Sequence, residues 1–149
     1  MYSKEELKKL KTNFWTSFGQ FSQLKRSRLG LDKKWMLYKT KLKGLELKFD
    51  FIDKTCITTI EVDINSYKAN DYITKLELLK EEIIPLSSSE LITEYLTLKN
   101  KKDVYRIFYE KENISLKKRE NWPTIFEFFF DHMLILEQFI IENKEILEQ

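Results

Sequence analysis

Glu46, Asp50 and Glu61 are the carboxylates whose spacing comes nearest to chemistry. Each alternates with apolar residues along a short extended segment, which sets all three on the polar face of one hairpin. Acids on adjacent strands can hold Mg²⁺ and orient a water for phosphodiester cleavage. A metal-dependent nuclease of that kind also needs Glu-x-Lys on its second strand, and here that strand reads Glu61-Val62-Asp63. The competing reading is a solvated strand face on which Lys48, diagonal to Glu61, forms a cross-strand ion pair. His132 is the single histidine, hence the only imidazole base for a serine or cysteine nucleophile. Its place inside an apolar helix reads as structural. Cys56, the single cysteine, falls on the inward face of the hairpin, where a thiol packs as a small hydrophobe. One cysteine gives no internal disulfide and no multi-thiolate zinc site. Phosphate-cradling loops cluster their glycines, whereas Gly19, Gly30 and Gly44 are scattered. No catalytic set, metal site or cofactor motif is therefore expected.

Binding chemistry is better represented. Lys25, Arg26, Arg28, Lys33, Lys34, Lys39, Lys41 and Lys43 are interleaved with Trp35 and Tyr38 in a connector that has little pattern of its own. The cations would neutralise phosphates and the aromatic rings would stack on unpaired bases. The net charge of +2 conceals a split: residues 1–48 hold 13 Lys/Arg against 4 Asp/Glu, and residues 49–149 hold 13 against 20. Such asymmetry marks either an anion-binding face or an N-terminal part that packs on an acidic remainder.

These residues need elements to position them. A chain of 149 residues, 42% hydrophobic and 14% aromatic, suits a single domain (1–149) with a real core. Ser3 and Glu6 form a capping box, after which Leu7, Leu10, Phe14, Phe18 and Phe21 make one helical stripe. The connector holds a short extended piece at 35–40. Leu45, Leu47, Phe49 and Phe51 then alternate with polar residues, as do Cys56, Thr58, Ile60 and Val62. A two-residue turn at 53–54 pairs Phe51 with Cys56, Phe49 with Thr58, Leu47 with Ile60 and Leu45 with Val62, all on one face. A helix is predicted over 67–84, ahead of Pro85. A second hairpin is predicted over 91–99 and 104–110, its last strand covered on both sides. Asn121 is read as the N-cap of a final helix, with Pro123 in its first turn. The expected class is α+β, of order α-β-β-α-β-β-α, with antiparallel hairpins forming a sheet packed against helices. A charged N-terminus and the lack of a long apolar run point to the cytoplasm and away from a membrane.

The final helix is apolar nearly all round. Trp122, Ile125, Phe126, Phe129, Met133, Leu136 and Ile140 form one stripe. Phe128, Phe130, Leu134, Ile135 and Ile141 cover much of the rest. Such a helix must be buried nearly all round. Either it is central to one chain, or its second face packs on another copy of the chain.

Tyr2-Ser3-Lys4-Glu5-Glu6, Phe14-Trp15-Thr16-Ser17-Phe18-Gly19, Trp35 with Tyr38-Lys39-Thr40, and Asn121-Trp122-Pro123 together resemble a bacterial domain-of-unknown-function family. The resemblance spans nearly the whole chain. That family occurs as short free-standing proteins and at the C-terminal end of larger, nuclease-related ones, which implies a link to nucleic-acid metabolism. It carries no functional residues across. Its tyrosine-lysine-threonine is usually followed by glycine, and Lys41 in that place disfavours a tight turn.

The residues point first to a non-enzymatic binding or assembly module, homodimeric through residues 122–147, with a protein as its other class of partner. They point second to a nucleic-acid-associated domain related to degenerate metal-dependent nucleases. An active nuclease using Asp50 and Glu61 is the third reading.

Overall fold

A computed structural model describes residues 2–149. Helix α1 (Lys4–Arg28) opens where the Ser3 hydroxyl accepts the Glu6 N–H at 3.1 Å. Glu5 and Glu6 in its first turn and Lys25, Arg26 and Arg28 in its last oppose the helix dipole. Its buried residues, Leu10, Phe14, Phe18, Ser22 and Arg26, recur every fourth position. Strands β1 (Leu45–Ile52) and β2 (Thr55–Asp63) pair in the register expected from the sequence, Phe51 with Cys56 through Leu45 with Val62. Helix α2 (Ala69–Leu79) is shorter than its apolar pattern and gives way to 3₁₀ turns at 80–82 and 84–86. Pro85 lacks an N–H and disfavours helical backbone before it, so the α-helix cannot continue into it. Strands β3 (Ile92–Thr97) and β4 (Asp103–Lys111) complete an antiparallel sheet of order β1-β2-β4-β3. Residues 104–109 of β4 are all buried, so that strand is covered on both faces.

Helix α3 (Trp122–Glu148) begins as predicted, but Asn121 does not cap it. The Asn121 amide instead donates to the Ser115 carbonyl at 3.2 Å, and the Trp122 indole donates to Leu116 O at 2.6 Å. The residue that would cap the helix is thus spent on holding the preceding loop against it.

The helices pack on the sheet face bearing Leu45, Leu47, Cys56, Ile60, Val62, Tyr105, Ile107 and Tyr109. Helix α1 lies beside α3 and runs the same way: Phe14 meets Trp122 and Phe126, and Arg26 reaches Glu137. Helix α2 meets the far end of α3, where Lys68 and Lys75 donate to the carbonyls of Leu147 and Ile146 at 3.1 and 2.8 Å. Sheet, α1 and α2 between them cover most of α3. Of the residues whose outward face was expected to need a second copy, Phe128 and Phe130 are buried within the chain. Leu134 and Ile135 are half-buried, and Ile141 is exposed. No helix of the described residues is long and apolar enough to cross a membrane.

Candidate nucleic-acid interface

Residues 29–44 join α1 to β1 without strand structure; the extended piece expected at 35–40 instead holds a turn at 37–38 and a bend at 40. Their conformation is fixed jointly by apolar packing of Trp35, Met36, Leu37 and Leu42 on the core and by a set of polar contacts. Glu137 of α3 is the main anchor. One carboxylate oxygen accepts from the Arg26 guanidinium at 2.8 Å, and the other accepts the Met36 N–H at 2.9 Å. Arg26 in turn lies 4.2 Å over the Trp35 ring, whose indole N–H donates to Ser22. The Thr40 hydroxyl accepts the Leu42 N–H and donates to Leu45 O at 2.7 Å, which closes the next turn. The turn that Lys41 was expected to disfavour therefore forms, with Lys41 itself at φ 63° in the left-handed region. Gly44 follows at φ +91°, where a Cβ would collide with Ser66.

This framework sorts the basic residues into two groups. Arg26 is buried and structural. Lys25 is half-buried, lies 4.6 Å over the Phe130 ring and pairs with Glu127 at 3.1 Å. Trp35 is half-buried in the core. Arg28, Lys33, Lys34, Lys39, Lys41 and Lys43 are exposed. Among the described residues none of these six has a carboxylate partner within 4.0 Å. Tyr38 stands among them, 71% exposed. The charge split of the sequence thus has packing as one origin, since Lys25, Arg26 and Lys48 pair with acids from the rest of the chain, whereas six further cations do not.

Three depressions adjoin Tyr38, and the two largest differ in charge. The larger, about 580 Å³, lies between α1 and residues 33–39 and reaches Trp15, Phe18 and Phe49. Three lysines line it and no carboxylate does. The smaller, about 440 Å³, carries Lys41, Lys43 and Lys102 but also Glu46, Glu61 and Asp63. An anion is therefore favoured more strongly on the α1 side of Tyr38 than at the β1–β2 end, where three carboxylates balance the three lysines.

The other candidate chemistries resolve into structure. Arg106, which sequence reasoning passed over, fills the space between the hairpin acids. Its Nη2 lies 3.2 Å from Asp50 and its Nε 3.1 Å from Glu61, while Lys48 stands 3.9 Å from the other Glu61 oxygen. A guanidinium occupies the place a cation would take, and the expected Lys48–Glu61 ion pair is present. Among the described residues no group of three or more His, Cys, Asp or Glu side chains is arranged to hold a metal. The signal for Arg106 was a lone charge in an otherwise apolar run, Val104 to Tyr109.

His132 Nδ1 lies 2.9 Å from Phe128 O, which can only accept, so Nδ1 carries the proton and Nε2 is the acceptor. The Ser87 and Ser89 hydroxyls lie 3.0 and 3.2 Å from Nε2. Burial lowers the His132 pKa, which favours this neutral form. A hydroxyl on a neutral imidazole has the geometry of a nucleophile and its base. However, the depression beside it carries the carboxylates Glu110, Glu127 and Asp131 against the single cation Lys111, a balance that disfavours a developing oxyanion. The contacts instead tie the 87–89 loop to α3. Cys56 is buried, and burial pushes its pKa up to about 12, so it stays a thiol.

Comparison with curated proteins and with solved structures gives no match. Over residues 10–144 the chain matches one family model, and it belongs to that family, described as Domain of unknown function (DUF4268).

Proposed function

We propose that the protein is a non-enzymatic nucleic-acid-binding module and that the connector, residues 28–43, is its phosphate-binding face. The observation that carries this is the set of six exposed cations without carboxylate partners, gathered on a segment fastened to the core by Glu137. Exposed cations on a rigid loop neutralise phosphates at little ordering cost. The carboxylate-free lining on the α1 side of Tyr38 removes the usual repulsion of a polyanion. Assembly through the last helix has less to recommend it, since Phe128 and Phe130 are already covered.

The test is fluorescence anisotropy of labelled oligonucleotides at several salt concentrations. Log affinity should fall linearly with log salt, with a slope of roughly −0.7 to −0.9 per phosphate neutralised. Lys33→Glu/Lys34→Glu/Lys39→Glu should flatten that slope and abolish binding at moderate salt. No binding at low salt, or binding indifferent to salt, removes the reading.

A further inference from the structure

We infer that the groove between α1 and residues 33–39 is a pocket for an unpaired nucleobase, so that the module selects single strands over duplex. This rests on the reading of the connector as a phosphate-binding face and adds the part of the ligand that face does not contact.

The groove's volume, about 580 Å³, falls within the ordinary range of small-ligand sites, about 300–1,000 Å³. One wall is aromatic. Trp15 is 37% exposed, and its ring is stacked on Phe129 at 5.9 Å and 9°. The backing fixes the ring at no cost to a ligand that approaches its free side. Gly19, one turn further along α1, leaves the groove open, since a Cβ there would meet nothing within 4 Å. Thr16, Gln20 and Gln23 line the α1 bank. Their amides and hydroxyl both donate and accept, which suits the edges of any base without demanding one sequence. Lys33, Lys34 and Lys39 stand on the opposite bank. A flat apolar ring beside a negative charge is the chemistry this lining complements, and a strand with its bases turned out presents both. A duplex keeps its bases stacked inside and could engage only the lysines. An acidic peptide would satisfy the lysines but leave the aromatic wall unmatched.

The experiment compares three fluorescein-labelled probes carrying equal numbers of phosphates: oligo-dT, an abasic strand and a hairpin duplex. Wild type should bind oligo-dT about tenfold or more tighter than the other two, the scale of stacking one base on an aromatic side chain. Gly19→Leu fills the groove. It also replaces a mid-helix glycine by a strong helix former, so folding should not suffer, and a thermal melt checks this. In Gly19→Leu the preference for oligo-dT should disappear, and Trp15→Ala should reduce it. Equal affinity of wild type for all three probes, or an undiminished preference in Gly19→Leu, overturns the pocket. In either case salt-dependent binding of all probes would leave the phosphate-binding face standing, whereas absence of any binding would end both.

Discussion

Glu137 of α3 and Arg26 of α1 form a buried ion pair at 2.8 Å, and the second Glu137 oxygen holds the Met36 N–H at 2.9 Å. One carboxylate thereby joins both long helices to the proposed binding segment. Desolvating two charges offsets most of their attraction, so the pair contributes geometry more than stability.

Removal of one partner is a different matter. Glu137→Ala strands the Arg26 guanidinium in the interior, which costs about 3–5 kcal/mol by the usual behaviour of broken buried pairs. Urea denaturation should show that loss. Amide hydrogen exchange should show residues 33–39 opening before α1 and α3 do. Arg26→Met/Glu137→Leu should recover much of the stability but not the order of the connector, because the Met36 N–H stays without its acceptor.

Lys41 supplies a prediction of opposite sign. A non-glycine residue at φ 63° carries a backbone cost, about 1–2 kcal/mol. Glycine relieves that cost, though its greater freedom in the unfolded chain takes back about 0.5–1 kcal/mol. Lys41→Gly should therefore raise the melting temperature slightly. It should also weaken oligonucleotide binding, because an exposed cation is lost. A variant both more stable and tighter-binding would show that Lys41 is no part of the phosphate-binding face.

The contrast between these residues shows what the sequence could disclose. The β1–β2 register was legible because turn length and period-two alternation give the same pairing, and a slip of one residue would expose Phe49 and Ile60. The ends of α2 were not, because Leu79 and Ile83 continue an apolar period across a change from α to 3₁₀ geometry. Arg26 reads like Arg28 in the sequence; its buried partner lies 111 positions away. The aromatic wall at Trp15 was hidden similarly. Its indole stands beside the α1 stripe, next to Phe14, and its 37% exposure follows from tertiary packing that helical spacing does not encode. Lysines of the connector were legible as a group, but which of them remain unpaired depends on how the acids of α3 are placed.

Arg106 makes the hairpin acids a structural unit rather than a metal site. Arg106→Ala leaves Glu61 buried without its guanidinium and should cost about 3–5 kcal/mol. Asp50→Asn should cost no more than about 1 kcal/mol, since its side chain is 30% exposed and solvent screens the pair. Chemical denaturation of the two variants checks the ranking. A similar loss from both would mean that the second carboxylate is as desolvated as the first.

His132 predicts an acid-sensitive fold. Burial holds its pKa below the ordinary 6.5, opposed by the hydrogen bond to Phe128 O and by Asp131, with neighbouring Lys111 adding a smaller downward push. The unfolded chain therefore takes up a proton at a higher pH than the folded one does. Stability should be full above about pH 6.5 and fall as the pH drops toward the folded-state pKa, with a slope of at most about 1.4 kcal/mol per pH unit for one proton. Glu77 titrates lower, its pKa depressed by hydrogen bonds from Lys80 and Tyr105, and stays outside this window. Glu110 is raised by burial and by its acidic neighbours, so Glu110→Gln is the right background for the measurement. There, His132→Gln should be less stable than its parent at pH 7.5, having lost the imidazole's ties to Ser87 and Ser89. The gap should narrow as the pH falls from 7 to 5.5. A gap independent of pH would mean that His132 takes up its proton equally in both states, and that its contacts with the two hydroxyls survive protonation.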